Sequence, residues 1–265
     1  MVPLVESADR VLRLLECFAP HERDVSLGEI AERVGLPKSS VHRLLATLVV
    51  HSFVERDEAT RRYRLGIRLF ELGSAAIHER GLHNAAHPVL EGLSAITGET
   101  CHLAVLSEGA AVYVYKVDGP SSIIMSSRVG GRAPCHATSI GKVLIAWARK
   151  DVQRQVRERP MRAYTPNTIT TVNGYEAELA KVRELGYALD LEEFEEGLRC
   201  IAAPVRDQSR QVVSALGIAG PKRRFEDQEL GRLAEEVVRA AGLLSRKLGF
   251  VDRHNEPAAL AASSR

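Results

Sequence analysis

Residues 37–50, PKSSVHRLLATLVV, constrain the fold of this chain more than any other stretch. Apolar residues recur there at helical spacing and form one stripe, made of Val41, Leu44, Leu45 and Leu48. The opposite face is short, polar and cationic, and it carries Lys38, Ser39, Ser40, His42, Arg43 and Thr47. Pro37 suits the first turn of a helix, and Gly35 suits the end of the helix before it. The segment therefore predicts the second helix of a helix-turn-helix.

Two upstream segments supply the other helices that such a unit needs. The first is predicted at residues 8–18, with Ser7 as its N-cap. Its apolar side comprises Val11, Leu12, Leu15 and Phe18. The second is predicted to begin after Ser26, which has Glu29 at capping-box spacing. Its stripe comprises Leu27, Ile30, Ala31 and Val34. Three inward-facing stripes predict a small three-helix core.

Two short segments after these helices, FVERD and RYRLG, predict a β-hairpin, or wing. Arg61 and Arg62 lie near its tip, where long cations reach a DNA backbone or minor groove. Residues 1–65 are neutral as a whole, with ten Lys/Arg and ten Asp/Glu, yet residues 37–65 hold six basic residues against three acids. If the hairpin stood alone, its basic residues would be explained more simply as a solvent-exposed surface. After a helix-turn-helix, the excess of positive charge favours contact with double-stranded DNA.

Composition places the whole chain among soluble globular proteins of one or two domains. The chain has 265 residues, of which 45% are hydrophobic and 26% charged. No apolar run is long enough for a membrane span, and no signal pattern is visible, so a cytoplasmic location is expected. The four cysteines are widely spaced, which makes a disulfide framework or a zinc ribbon a poor interpretation.

The segment at residues 66–80 predicts a linker helix with a broad apolar surface and no obvious partner in the small N-terminal core. Its apolar residues are Ile67, Leu69, Phe70, Leu72, Ala76 and Ile77. Packing against its copy in a homodimer, or in a tetramer built from dimers, would bury this surface. Packing on its own chain remains an open alternative.

Short strands and helices alternate from residue 81 to about 250 and predict a second domain. Helices are expected at residues 87–96, from about 138, at 174–184 and at 226–247. Strands are expected in CHLAVLSEG, AVYVYKVDG, YALDLEE, LRCIAAPVRD and QVVSALGIAG. The predicted fold class is α+β, with a winged helix-turn-helix at 1–65, a linker helix at 66–80 and an antiparallel sheet covered by helices at 81–250. Residues 251–265 are predicted to be a disordered tail.

Two segments of this second domain carry a family resemblance. GRAPCHATSIGKVLIAW, at residues 131–147, is similar to the Pro-x-His-Ala-Thr/Ser-x-x-Gly-Lys segment of the IclR family of bacterial transcription factors. YALDLEEFEEGLRCIAAPVRD, at 187–207, is similar to that family's Asp-x-Glu-Glu signature, which continues through Gly, Cys, Ala, Pro and Asp. The resemblance covers residues 1 to about 250. It implies a GAF-like effector-binding domain that takes a small organic acid and controls operator affinity.

The predicted effector pocket combines a helix N-terminus with two neighbouring strands. A helix beginning near Thr138 would present the free amides of Ser139, Ile140 and Gly141 as an anion site. Strand periodicity lets Asp190 and Cys200 converge. The resemblance implies that these two residues, with the amides at Ser139 and Ile140, contact the effector.

The strand that follows departs from the family's pattern. The family often has Ser-x-Ser where this chain has Gly217 and Ala219. A smaller and less polar wall would admit a bulkier or aromatic acid.

Other classes of function compete with this interpretation. A small-molecule enzyme could use Cys200 as nucleophile and His102 or His136 as base, although the chain shows no local catalytic motif. In the absence of the family resemblance, Cys200 would simply be a small core residue and Asp190 a turn cap.

The pairs Cys101–His102 and Cys135–His136 invite a zinc site, but strand neighbours point to opposite faces, so no metal and no cofactor are predicted. A pure scaffold would leave the pocket without a role. The effector's identity, the operator, repression or activation, and dimer or tetramer stay open.

Overall fold

The computed structural model describes residues 4–18, 24–78, 82–120 and 127–251. The chain divides into two compact units, Met1–Glu79 and Arg80–Arg265, which are described separately below. Within the described ranges, no helix is both long enough and apolar enough to cross a membrane.

The first unit contains three helices and a hairpin. The helices are α1 (Glu6–Glu16), α2 (Leu27–Val34) and α3 (Lys38–Val50), and the hairpin strands are β1 (Val54–Arg56) and β2 (Tyr63–Leu65). Val41, Leu45 and Leu48 of α3 are buried as the pattern predicted, whereas Leu44 is only partly buried. Their core partners include Leu14, Ile30, Val34, Val54 and Tyr63. This arrangement confirms the predicted winged helix-turn-helix.

The start of α1 differs from the prediction. Val5 occupies the N-cap position and Ser7 lies inside the helix, where it forms no cap. Leu14 is fully buried, while Leu12 is 60% exposed. The run VLRLLECF places apolar residues on more than one helical face, so spacing alone selected the wrong leucine.

The turn between α2 and α3 forms for the reasons that the sequence suggested. The Ser26 hydroxyl accepts from the Glu29 amide, and the Glu29 carboxylate accepts from the Ser26 amide at 2.7 Å, which completes the predicted capping box. Gly35 ends α2 at φ +67°, a left-handed conformation that costs glycine little. Pro37 is the N-cap residue of α3, one position before the first turn that was predicted for it.

The helix α4 (Ile67–His78) closes the first unit. Ile67, Phe70 and Leu72 on this helix are 58%, 70% and 45% exposed. In the described part of α4, much of the apolar surface of the helix is therefore exposed to solvent.

The second unit is built on one six-stranded antiparallel sheet. Its strands are β3 (Thr100–Ser107), β4 (Ala110–Val117), β5 (Arg132–Pro134), β6 (Ala188–Leu191), β7 (Leu198–Arg206) and β8 (Val212–Pro221), in the order β5-β4-β3-β8-β7-β6. Helices α5 (Leu82–Thr97) and α9 (Asp227–Lys247) pack on one face. Helices α6 (Ser139–Ala146), α7 (Lys150–Glu158) and α8 (Val172–Leu185) lie on the other side. The predicted antiparallel sheet covered by helices is confirmed.

Two elements of this unit escaped the sequence analysis. Strand β5 is three residues long, and α7, with the sequence KDVQRQVRE, has Val152 and Val156 as its only apolar residues, so neither offers an apolar stripe long enough to recognise. The tail predicted at 251–265 lies outside the described residues except for Val251, as does most of the SSIIMSS segment at 121–127.

Candidate functional site

The N-terminus of α6 presents two free amides to a cavity. Thr138 caps the helix: its hydroxyl donates to the carbonyl of Pro134 at 2.7 Å and accepts from the amide of Gly141 at 3.2 Å. The prediction of three free amides was therefore wrong for Gly141. Within the described ranges, the amides of Ser139 and Ile140 have no hydrogen-bond partner, and both residues line the cavity. They lie at the positive end of the helix dipole, where an anion is favoured.

Strand register brings Asp190 and Cys200 side by side. Asp190 of β6 pairs with Cys200 of β7, and Cys200 pairs in turn with Ala219 of β8. All three residues line the same cavity, so a carboxyl, a thiol and a methyl group stand in one row across three strands. Asp190 also caps a turn, because its Oδ1 accepts from the amide of Glu193 at 2.8 Å.

The prediction that Gly217 forms part of the pocket wall is wrong. This glycine is not among the residues that line the cavity, and a Cβ there would lie 2.6 Å from the carbonyl oxygen of Ile201 and 3.0 Å from the Cβ of Ala202. A serine would therefore clash with β7. Of the two small residues predicted to widen the pocket, Gly217 and Ala219, only Ala219 lines the cavity.

Three polar residues that sequence reasoning did not assign to the pocket also line it: His102, Tyr113 and Ser127. The Nε2 atom of His102 lies 2.8 Å from the hydroxyl of Ser127, and its ring lies 5.1 Å from that of Tyr113. Burial lowers the pKa of His102 to about 4, so the imidazole is neutral near pH 7. No pattern in the sequence could place them there, because β3 joins β7 only through the non-consecutive strand β8.

Most of the remaining wall of the cavity is apolar. Phe194, Leu198 and Ile218 form it together with the exposed Glu195, and the empty space, which includes open solvent at the mouth, amounts to about 500 Å³. A cavity that combines apolar walls with a few convergent polar groups is typical of a small-molecule site.

Burial changes the protonation of the acidic groups in the cavity. It raises the pKa of Asp190 to about 7, with a smaller contribution from the nearby carboxylate of Glu193. It also raises the pKa of Cys200 well above the usual value, and the adjacent Asp190 adds to this effect. The pKa of Tyr113 rises for the same reasons. The thiol and the phenol are therefore neutral at pH 7, and Asp190 is close to half protonated.

A buried lysine, Lys142, connects helix α6 to the loop that forms one wall of the cavity. Lys142 of α6 has no exposed surface, and its Nζ donates to Glu193 Oε1 at 2.5 Å, the carbonyl of Leu189 at 2.9 Å and Glu178 Oε1 at 3.2 Å. Glu193 directly precedes Phe194 in the loop that forms one wall of the cavity. A single lysine in the otherwise uncharged helix SIGKVLIA was a visible signal of a buried cation that needs carboxylate partners.

The geometry does not support the catalytic alternative. A raised pKa keeps the Cys200 thiol protonated, whereas a nucleophilic cysteine needs a lowered one. His102 is bonded to Ser127, and His136 donates through Nε2 to the carbonyl of Arg162 at 2.9 Å. In the two Cys–His pairs, Cys101 and Cys135 pack in the apolar cores on opposite sides of the sheet.

The first unit presents the predicted reading face of α3. Lys38, Ser39, His42, Arg43 and Thr47 are exposed, and Ser40 is half-buried. The Thr47 hydroxyl donates to the carbonyl of Arg43 at 3.2 Å. Among the described residues, Lys38 and Arg43 have no ion-pair partner, so both charges face solvent.

The two arginines near the wing tip differ in their contacts. Arg62 turns back to the body of the unit, where it pairs with Glu29 Oε2 at 3.1 Å and donates to the carbonyl of Asp24 at 3.1 Å. Arg61 is exposed at φ +54° and has no ion-pair partner in the described part of the chain. Of the two, only Arg61 holds a guanidinium that is free to contact a phosphate.

A winged helix-turn-helix joined in one chain to an α+β unit with a small-molecule cavity defines a DNA-binding transcriptional regulator. The family model for the bacterial transcriptional regulator IclR C-terminal domain matches residues 74–246, and the IclR helix-turn-helix model matches residues 7–58. The chain belongs to the IclR family of transcriptional regulators.

Relatives extend over nearly the whole chain. The HTH-type transcriptional regulator XynR of Escherichia coli is 36% identical and KdgR of the same organism 37%; each alignment covers 94% of this chain, with 99% of XynR and 94% of KdgR covered. Among solved structures, an IclR homolog of Microbacterium hydrocarbonoxydans complexed with 4-hydroxybenzoate has a TM-score of 0.83 at 28% identity over 91% of this chain and 98% of that one. IclR of Thermotoga maritima gives 0.75 at 31% identity over 92% and 99%.

Proposed function

We propose that a small organic acid binds in the cavity of the second unit and controls the affinity of this regulator for its operator. The observation that carries the proposal is the convergence of the free α6 amides with Asp190 and Cys200 in one cavity. The 4-hydroxybenzoate complex of the Microbacterium homolog supports the same ligand class.

The apolar wall favours an acid with a bulky or aromatic body. Phe194, Leu198 and Ile218 offer contact area, and Ala219 leaves room beside Cys200. The carboxylate of such an acid would accept hydrogen bonds from the amides of Ser139 and Ile140. His102 and Ser127 would bond a second polar group.

The DNA contacts are proposed from the exposed face of α3. Arg43 and Lys38 would contact phosphate or guanine, and Ser39, Ser40, His42 and Thr47 would contact base edges or phosphates. Arg61 would contact the backbone, while Arg62 would support the wing from behind.

A second copy of the chain would complete the regulator. The exposed face of Ile67, Phe70 and Leu72 on α4 supports a dimer that presents two α3 helices to one operator. Residues 1–65, 66–80 and 81–250 would then be reading head, linker and effector domain, acting on DNA in the cytoplasm. An effector that binds one dimer arrangement better by about 1–3 kcal/mol would shift operator affinity usefully.

The test combines binding and DNA readouts. Titration with benzoate, 4-hydroxybenzoate and pyruvate should quench or shift the fluorescence of Trp147, the chain's one tryptophan, which is the C-cap of α6. The acid that binds most tightly should also change the operator affinity in a mobility-shift assay. Absence of binding across the panel, or binding with no change in operator affinity, would contradict the proposal.

A further inference from the structure

The floor of the effector cavity adjoins a cluster of acids with too few cations. Glu178 and Glu193 both pair with the ammonium of Lys142. Asp190 lies beside them and accepts a hydrogen bond from the amide of Glu193. The side chains of Glu178 and Glu193 are 20% and 10% exposed, and Asp190 is 2% exposed. If all three carboxyls were ionised, the cluster would hold an uncompensated negative charge away from water, which is costly.

Among the three carboxyls, Asp190 is the member that Lys142 attracts only from beyond ion-pair distance, since the ammonium is paired with Glu178 and Glu193. The Nζ of Lys142 is bonded to Glu178, Glu193 and the carbonyl of Leu189. Among the described residues, Asp190 forms no ion pair. The amides of Glu193 and Phe194 and the thiol of Cys200 donate hydrogen bonds to it. It is also the member that lines the cavity.

A carboxylate effector would meet this group directly. An ionised Asp190 beside the effector would repel it, since the low dielectric of a buried site strengthens the interaction of like charges. A protonated Asp190 has an O–H that can donate to the effector's carboxylate, and the two oxygens would then share one proton.

Among the other groups that face Asp190, Glu193 is the one that could compete for the proton, because burial raises its pKa as well, but its carboxylate pairs with the ammonium of Lys142. Cys200 on β7 and Tyr113 on β4 have raised pKa values and are protonated throughout the neutral range. Burial lowers the pKa of His102 on β3 to about 4, so it stays neutral. Lys142 on α6 is bonded to Glu193, and Glu195 lies at the rim.

We infer that the cavity binds its carboxylate effector together with one proton, which Asp190 carries, so that Asp190 acts as a hydrogen-bond donor to the ligand. This inference rests on the proposed function, and it specifies the charge state that the site recognises.

The inference predicts a particular dependence on pH. Because burial gives Asp190 a pKa of about 7, affinity for an acid that is ionised throughout should be about tenfold weaker at pH 8 than at pH 6. Proton uptake on binding should run the other way. It should be close to zero at pH 6, where Asp190 is already protonated, and approach one at pH 8.

Calorimetry of the full chain measures both quantities. Benzoate, 4-hydroxybenzoate and pyruvate would be titrated at pH 6 and pH 8, in buffers of low and high ionisation enthalpy such as phosphate and Tris at pH 8. The slope of observed enthalpy against buffer enthalpy gives the number of protons taken up. Asp190→Asn should abolish the uptake and flatten the pH dependence of affinity, whereas the exposed control Glu184→Gln should leave both unchanged.

The outcomes separate this inference from the function on which it rests. Binding of an acid by the unaltered chain at pH 8 without proton uptake would overturn the inference and leave the proposed function standing. Uptake that survives in Asp190→Asn and disappears in Glu193→Gln would also overturn it. If none of the acids binds, both the inference and the proposed function fail. Absence of proton uptake by the unaltered chain overturns the inference even if a variant does not fold.

Discussion

Replacement of Lys142 by methionine should cost the second unit much of its stability. Methionine fills most of the same volume and carries no charge, so the change isolates the loss of the ammonium. The fully buried Nζ has three partners within 3.2 Å, two of which are carboxylates. Removing one partner of a buried ion pair typically costs about 3–5 kcal/mol, because the other charge remains without compensation. A typical domain has only about 5–15 kcal/mol in all.

The assay is urea unfolding followed by the fluorescence of Trp147, which reports on the second unit alone because the chain has no other tryptophan. Lys181→Met is the matched control, since Lys181 lies exposed on α8 and its replacement should change the free energy of unfolding by less than about 0.5 kcal/mol. The double variant Lys142→Met, Glu193→Gln should recover part of the loss, because it also removes an unpaired carboxylate.

The pH dependence of the loss has a defined sign. Burial already raises the pKa of Glu193, and without Lys142 that pKa should rise further. Protonation of Glu193 at low pH then removes the uncompensated charge, so the deficit of Lys142→Met should shrink between pH 7.5 and pH 5. A deficit of Lys142→Met at pH 7.5 no larger than that of the Lys181→Met control would refute the reasoning.

Three further predictions concern other parts of the chain. Ser26→Ala should lower the protection of α2 amides against hydrogen exchange by about 1 kcal/mol, while Ser26→Asn, which can still cap, should not. Arg61→Ala should weaken operator binding and reduce the salt dependence of log affinity by about one, as measured by mobility shifts at several salt concentrations. Arg62→Ala should mainly lower the stability of the first unit, as measured by thermal unfolding. The pKa of Asp190 is raised from 3.8 to about 7, so its contribution to stability is complete below about pH 4 and is lost as pH rises through 7. The unfolding temperature of the unaltered chain should therefore be lower at pH 8 than at pH 5.5, and this difference should be smaller for Asp190→Asn.

Local rules predicted the reading head well because its elements are close in sequence. The capping box at Ser26 depends on a residue three positions away, and the buried stripe of α3 depends on helical spacing. The errors arose where the local pattern was ambiguous. Leu12 and Leu14 both fit an amphipathic helix, and only packing in the core of the first unit selects Leu14.

The effector cavity was predictable only in part. Asp190 and Cys200 lie on strands that follow each other and pair directly, so strand periodicity brought them together correctly. His102, Tyr113 and Ser127 lie far from them in sequence and reach the cavity through the order of the sheet. The clash that a side chain at Gly217 would make with Ile201 is likewise invisible without the neighbouring strand.

The sequence by itself determined most of the elements, the two-part organisation and the family, because helical and strand periodicity, caps and motifs are local properties of the chain. Only the tertiary structure decided which charges are free and which are engaged. It sends Arg62 back to Glu29, leaves Arg61 exposed, and encloses Lys142 among carboxylates beside Asp190. Charge state and hydrogen-bonding capacity depend on burial and on neighbours that are distant in sequence, and these exist only once the chain has folded.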